Sequence, residues 1–155
     1  MAIDDDIAFL ERIPIFRRLG PPALRIIAIG AEAYNVQIGQ VLFTVGEVAD
    51  GGYVVQRGSF SLSTERDDEE DVIAGPGTLL GEAALLAETR RPATARARED
   101  AVVLRISRSM FLRMLEGFPD AAERLRDLFA SRSDQWASEI GNVHSALTRG
   151  GDSST

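Results

Sequence analysis

The residues whose types could do chemistry lie in one short segment, 80–94, which interrupts a β-rich stretch of the sequence. Gly81 allows the backbone to approach a ligand closely, and residues 82–86 favour a helical turn whose free N–H groups can bind an anion. Arg91 offers a planar fork that can contact two oxygens of a phosphate, and Thr94 adds a hydroxyl. An acidic side chain could accept hydrogen bonds from the two hydroxyls of a sugar, while amide donors and an arginine contact a phosphate. This combination suits a ribose phosphate. The same residues also fit a surface turn with an ordinary exposed glutamate and arginine.

This segment resembles the phosphate-binding cassette of the cyclic-nucleotide-binding domain family, and we refer to residues 80–94 as the cassette segment. The family pattern is F-G-E-[LIV]-A-L, then four variable residues, then R-x-A-[TS]. Residues 80–85 and 91–94 match it without a gap, with Leu80 in place of the aromatic residue and Ala83 in place of a larger aliphatic one. Upstream, residues 42–60 resemble the first half of the family's domain. The resemblance as a whole covers about residues 10–145.

The resemblance implies a role for each matched residue. Glu82 would accept a hydrogen bond from the ribose 2′-hydroxyl, and Arg91 would pair with the cyclic phosphate. The other ligand contacts that it implies are those of Leu80, Gly81, Ala83, Ala84, Pro92, Ala93 and Thr94. Pro92 stands where relatives that favour cGMP often carry Thr or Ser, and it offers neither a hydroxyl nor an N–H. We therefore expect cAMP to bind at least as tightly as cGMP.

Two further contacts would concern the purine base. Phe60 and Leu62 should line one side of the base. In channel-type bacterial relatives the base is covered by an arginine thirteen residues after a helix-opening proline, and counting from Pro119 gives Arg132. An arginine on an apolar helix face is costly unless it is paired or stacked, and a purine offers a stacking surface. The alternative is that Arg132 pairs with an acid such as Glu139 in solvent.

Three regions of the chain would position these residues. Residues 5–31 read as helices in two pieces, residues 33–106 as short strands separated by glycine-rich turns, and residues 108–147 as helices again. The fold class expected is mainly β with flanking helices. The resemblance implies an eight-stranded antiparallel jelly-roll barrel with N-terminal helices and a C-terminal helical lid. Residues 1–147 would form a single domain, and residues 148–155 a disordered tail.

The last predicted helix carries an apolar seam. Trp136, Ile140, Val143 and Leu147 are spaced by four, three and four residues, as in paired helices. The seam can pack on the chain's own barrel, or it can pair with the same helix of a second copy in a homodimer. An exposed seam of this kind would be a liability in a monomer.

Composition excludes several classes of function. The 155 residues carry a net charge of −7 without a Lys/Arg-rich run, so DNA binding is not expected. The chain has no cysteine and one histidine, His144, which argues against a metal site and against His-dependent catalysis. The apolar runs are too short for a membrane span, and the acidic N-terminus lacks the basic start of a signal peptide. A cytoplasmic location follows as the default.

The leading functional hypothesis is a ligand-gated switch rather than an enzyme, because no nucleophile–base pair is visible. A cyclic nucleotide, cAMP or else cGMP, would bind at the cassette segment, and the C-terminal helices would close over it and signal to an unidentified downstream protein. Few residues follow Leu147, so we expect a stand-alone module without a helix-turn-helix or channel domain. The alternative is a dimerisation or scaffold module that keeps the barrel without a ligand. Such modules commonly lose the cassette glutamate or arginine, and both are present here.

Overall fold

Helices at both ends of the chain flank a set of short antiparallel strands in the computed structural model, which describes residues 3–64 and 70–131. The N-terminal helices are α1 (Ile3–Leu10), α2 (Pro14–Arg17) and α3 (Pro21–Gly30), and the C-terminal ones are α4 (Arg108–Gly117) and α5 (Pro119–Ser131). The strands are β1 (Glu32–Val36), β2 (Val41–Phe43), β3 (Val48–Ala49), β4 (Gly51–Arg57), β5 (Phe60–Ser63), β6 (Val72–Ala74), β7 (Leu79–Leu80), β8 (Thr89–Arg90), β9 (Thr94–Ala97) and β10 (Ala101–Ser107). The expectation of a mainly β fold with flanking helices is thus confirmed.

The predicted closed barrel of eight strands is not confirmed. The ten described strands form two four-stranded sheets, in the orders β1-β10-β4-β7 and β2-β9-β5-β6, and a two-stranded sheet of β3 and β8. All pairs are antiparallel. The register shifts between Val41 and Phe43, and again between Val102 and Val103. Irregularities of this kind interrupt the ladder and bend a strand, and several strands are only two residues long, so the sheets remain separate.

Local sequence signals explain where the helices begin. Pro14 and Pro21 each open a helix, as their fixed φ and missing N–H allow. Pro14 therefore begins a short helix of its own, besides ending the one before it. Ser107 caps α4, because its hydroxyl accepts a hydrogen bond from the N–H of Met110 at 3.2 Å. The N- and C-terminal helices share one apolar cluster with β4 and β10, and α3 packs against α4.

Two apolar clusters hold the described part of the molecule together. The helical cluster joins the flanking helices to the outer side of β4 and β10. Its buried members are Leu10, Ile13, Ile15, Phe16, Leu19, Ala23, Leu24, Ile27, Val54, Leu85, Leu104, Ile106, Phe111, Met114, Ala121, Leu125 and Leu128. The sheet cluster lies between the two larger sheets. Its buried members are Val36, Phe43, Val55, Phe60, Ala74, Leu80, Ala95, Ala97, Ala101 and Val103. The cassette segment contributes Leu80 to the sheet cluster and Leu85 to the helical cluster, so it is anchored on both sides.

Several predicted features lie outside the described residues. They are Arg132, His144, the apolar seam from Trp136 to Leu147 and the tail 148–155. The predicted lid contact and the predicted helix pairing therefore remain predictions. Within residues 3–64 and 70–131, no helix has both the length and the apolar character needed to cross a membrane.

Candidate functional site

The cassette segment forms one wall of an open cavity of about 660 Å³. This volume is within the range of small-molecule binding sites, about 300–1,000 Å³. The predicted site residues that line it are Leu62, Leu80, Gly81, Glu82, Ala83, Ala84, Arg91, Pro92 and Ala93. The remaining lining residues are Phe43, Val45, Gly46, Ala49, Leu79, Thr89 and Arg90. The fold thus brings most of the residues that the sequence singled out to one surface.

The backbone at the start of the cassette segment requires a glycine. Gly81 has a φ of +90°, a conformation that L side chains rarely adopt. A Cβ atom at this position would lie 2.5 Å from Nη1 of Arg91 and 3.2 Å from the carbonyl oxygen of Gly51. Glycine therefore supplies both the turn and the room in which the arginine fork sits.

The helical turn expected at residues 82–86 is a short 3-10 helix, Ala83–Leu85. The N–H of Ala84 donates to the carbonyl of Gly81 at 3.0 Å, and the next three amides, of residues 85–87, also donate within the turn. The amide donors that a ligand could meet in this turn therefore precede Ala84. The backbone contact predicted for Ala84 would have to share an N–H that is already in use.

Arg91 is the most unusual residue of the site. Its side chain is buried, with the whole residue only 5% exposed. The guanidinium carbon lies 4.4 Å from the ring centroid of Phe43 and 5.5 Å from that of Tyr53. Within the described part of the chain, its Nη1 atom is buried and has no hydrogen-bond partner. Burial lowers the pKa of this guanidinium from its ordinary value. A cation held in this way is poised to receive an anion.

Both backbone polar groups of Arg91 are hydrogen-bonded. Its N–H donates to the carbonyl of Glu47 at 2.8 Å, and its own carbonyl accepts from the N–H of Gly46 at 2.8 Å. The neighbouring Arg90 is exposed and donates from Nη1 to the carbonyl of Gly46 at 2.9 Å. Two adjacent arginines therefore differ completely in environment, and only Arg91 is buried.

Glu82 stands between two cavities. Besides the main cavity, it lines a smaller one of about 230 Å³ together with Ala83, Leu86 and Phe129. Phe129 belongs to α5, so this helix reaches the cassette segment next to the residue predicted to contact the ribose. The sequence analysis did not predict this position of Phe129 beside Glu82.

The remaining predicted residues occupy different places. Leu62 lines the cavity, whereas Phe60 is fully buried in the sheet cluster and is not among the lining residues. Thr94 is likewise not among the lining residues, and its hydroxyl oxygen accepts a hydrogen bond from the N–H of Val45 at 2.9 Å. Sequence reasoning also missed the two rings under Arg91, because strand alternation does not say which side chains from different strands will meet.

Comparisons with known proteins place the chain in a recognisable group. A profile of the cyclic nucleotide-binding domain matches residues 35–118. The solved structure of a cyclic nucleotide-binding-like protein from Brucella abortus is 41% identical, with a TM-score of 0.66 over 73% of this chain and 99% of that one.

Two longer relatives contain a similar stretch. A cyclic nucleotide-gated potassium channel of Mesorhizobium japonicum is 32% identical over 126 residues, which cover 81% of this chain and 34% of the channel. A cAMP-dependent protein kinase regulatory subunit of Blastocladiella emersonii is 28% identical over 120 residues, which cover 76% of this chain and 30% of that protein. The chain thus spans about a third of the length of each of these relatives.

Proposed function

Because this chain belongs to the cyclic nucleotide-binding domain family, we propose that it binds a cyclic nucleotide and acts as a sensor module without catalysis of its own. The observation that carries the proposal is the state of Arg91. A buried guanidinium with an Nη1 atom that has no hydrogen-bond partner in the described residues lines a cavity beside Glu82. A buried donor left unsatisfied is costly, and the anionic phosphate of a cyclic nucleotide would satisfy it.

The two sides of the cavity suit the two halves of such a ligand. Arg91 and the glycine turn at Gly81 supply a positive charge and backbone donors for the cyclic phosphate. The Glu82 carboxylate can accept hydrogen bonds from the ribose hydroxyl. Leu62 and Leu79, which line the same cavity, offer apolar surface to the base. A cyclic phosphate has one charge, and one buried arginine matches it.

We further propose that cAMP is bound at least as tightly as cGMP. Pro92 lines the cavity and directly follows Arg91. It has no hydroxyl and no N–H with which to meet the guanine amino group, so the site provides no recognition of guanine at this position.

The C-terminal helix is proposed to act as the lid. Phe129 of α5 lies beside Glu82 and Ala83, and Arg132 follows Phe129 by three residues in the sequence. Stacking of a guanidinium on a desolvated ring is worth about 1–2 kcal/mol, so Arg132→Ala should weaken binding about three- to thirtyfold. Unchanged affinity, with ligand still suppressing amide exchange in the C-terminal helix, would show that Arg132 is not the lid.

The seam from Trp136 to Leu147 is proposed to pair two copies of the chain, which would act in the cytoplasm on a downstream protein. If so, light scattering at micromolar concentration should give a dimer, and a chain ending at Ser133 should give a monomer. A monomeric full-length chain would instead mean that the seam packs within its own chain.

The sensor function itself is tested by calorimetric titration of the purified chain with cAMP, cGMP and 5′-AMP. We expect saturable binding of cAMP, binding of cGMP that is no tighter, and much weaker binding of 5′-AMP. The last ligand has the same base and ribose but an open phosphate with a different shape and charge. Absence of binding by both cyclic nucleotides would favour the alternative, a dimerisation or scaffold module that keeps the fold without a ligand.

A further inference from the structure

Arg91 rests on an aromatic platform that consists of Phe43 from β2 and Tyr53 from β4. The two rings are stacked on each other, with centroids 6.0 Å apart and planes 25° apart. The guanidinium carbon lies 4.4 Å from the first centroid and 5.5 Å from the second. Both distances are within the range of about 6 Å in which a ring attracts a cation. Phe43 is itself buried and also lines the cavity.

The platform holds the cation without neutralising it. In the part of the chain that the structure describes, no carboxylate forms an ion pair with Arg91, whereas Arg105 pairs with both Glu32 and Asp50. A carboxylate partner would compete with an incoming phosphate for the same N–H donors. Aromatic rings attract the positive charge through their π-systems and do not take up the N–H groups as a carboxylate does, so these donors remain available to an anion.

We propose that Phe43 and Tyr53 are positioning residues for the anion receptor, and that they hold the fork of Arg91 with its N–H donors toward the cavity. This inference deepens the proposed function and rests on it. The rings fix the plane of the guanidinium, and Gly81 leaves room for Nη1 at one end of it. The site is therefore ordered before the ligand arrives, which lowers the ordering cost of binding.

A double-mutant cycle tests this role. Phe43→Leu keeps an apolar side chain in the sheet cluster but removes the ring. We expect it to weaken cAMP binding about five- to thirtyfold, the fold-change that corresponds to a desolvated cation–π contact. In the Arg91→Ala background the same substitution should change affinity by less than about twofold, because the residue that the ring positions is absent. Equal losses in both backgrounds would overturn the proposal, because the ring would then matter only for packing.

The chain offers matched controls. Phe43→Trp keeps an aromatic ring and should retain most of the affinity that Phe43→Leu loses. Phe9 carries a comparable contact away from the site, with the guanidinium carbon of Arg12 at 5.2 Å from its centroid. Phe9→Leu should leave cAMP affinity unchanged. A loss as large as that of Phe43→Leu would mean that ring removal acts through general stability, and it would contradict the proposal.

A measurement without ligand separates this inference from the sensor function. In the free protein, the NMR signal of the Arg91 Nε–H, assigned by its loss in Arg91→Lys, should show a ring-current shift and slow rotation of the guanidinium. Both should be much reduced in Phe43→Leu, where only the Tyr53 ring remains. If the parent binds no cyclic nucleotide, the sensor function fails, while this comparison still decides whether the platform orders Arg91. Identical spectra of Arg91 in the parent and in Phe43→Leu would overturn the platform, whatever the chain binds.

Discussion

The cassette segment and the start of α4 use arginine side chains in opposite ways. In the cassette segment, Arg91 rests on two rings and, within the described residues, its buried Nη1 atom has no hydrogen-bond partner. At the start of α4, Nη1 of Arg108 donates to the carbonyls of Ala49, Ala84 and Ala87 at 3.1, 3.3 and 3.2 Å. Arg91 thus keeps hydrogen-bond donors that a ligand could use, whereas Arg108 uses those of Nη1 to hold the backbone.

This difference distinguishes an arginine that can bind a ligand from one that stabilises the fold. Peptide carbonyls are fixed acceptors, so an arginine that saturates them stabilises the backbone that carries them and has little left for a ligand. Arg108 in this way ties the 3-10 helix of the cassette segment to β3 and α4. A desolvated cation that lacks such acceptors costs free energy in the empty protein, and this cost is relieved when an anion binds. The four substitutions below test this distinction in order of decreasing effect.

Arg91→Ala should have the largest effect, and the effect should be on binding. Charge-assisted hydrogen bonds contribute about 1.5–3 kcal/mol each, so we expect affinity for cAMP to fall by about one to three orders of magnitude while the fold persists. Calorimetry gives the affinity, and circular dichroism reports the fold. The exposed neighbour Arg90→Ala is the matched control and should cost much less. Retained affinity in a folded Arg91→Ala protein would remove Arg91 from the phosphate site.

Arg108→Ala should act mainly on stability. Three carbonyls lose a charged donor at once, and we expect the free energy of unfolding to fall by about 1–3 kcal/mol in urea titrations. Arg108→Lys should rescue only part of this loss, since an ammonium group lacks the planar fork. An Arg108→Ala protein of normal stability with an affinity loss like that of Arg91→Ala would place Arg108 in the binding site and would break the contrast.

Arg124→Ala should have a smaller effect of the same kind. This residue of α5 donates from Nε to the carbonyl of Arg18 at 2.7 Å and from Nη2 to that of Leu19 at 2.9 Å. Because the side chain is more exposed, we expect a loss of about 1 kcal/mol in unfolding free energy. Hydrogen exchange should show faster opening of α5 in this variant. Unchanged exchange of α5 would mean that its apolar contacts, at Leu125 and Leu128, suffice to hold it.

Arg105→Ala should have the smallest effect. Arg105 pairs with Glu32 at 3.4 Å and with Asp50 at 2.9 Å, and the side chains of these acids are 60% and 70% exposed. Exposed ion pairs contribute about 0.2–1 kcal/mol, and salt screens them. The difference in unfolding free energy from the parent should therefore shrink further in concentrated NaCl. A loss above that of Arg108→Ala would show that exposure does not rank these arginines.

Features that depend on a few neighbouring residues could be predicted from the sequence alone. The glycine-opened helical turn, the prolines that start α3 and α5, and the succession of helices, strands and helices all follow from local backbone preferences. The match of residues 80–85 and 91–94 to a phosphate-binding pattern identified the segment that lines the main cavity. These features depend on neighbouring residues in the sequence and not on distant contacts.

Tertiary structure alone decided which distant side chains meet. Strand residues alternate faces with a period of two, so a single shift of register redirects every later side chain. Such a shift occurs between Val41 and Phe43, and the ring of Phe43 is the one that contacts Arg91. No local feature of the sequence predicts this shift. The burial of Phe60 two residues before the partly buried lining residue Leu62, the separation of the sheets and the approach of Phe129 to Glu82 have the same origin. Each depends on pairing and packing between elements that lie far apart in the chain. The residue types and spacing within one segment do not determine such contacts.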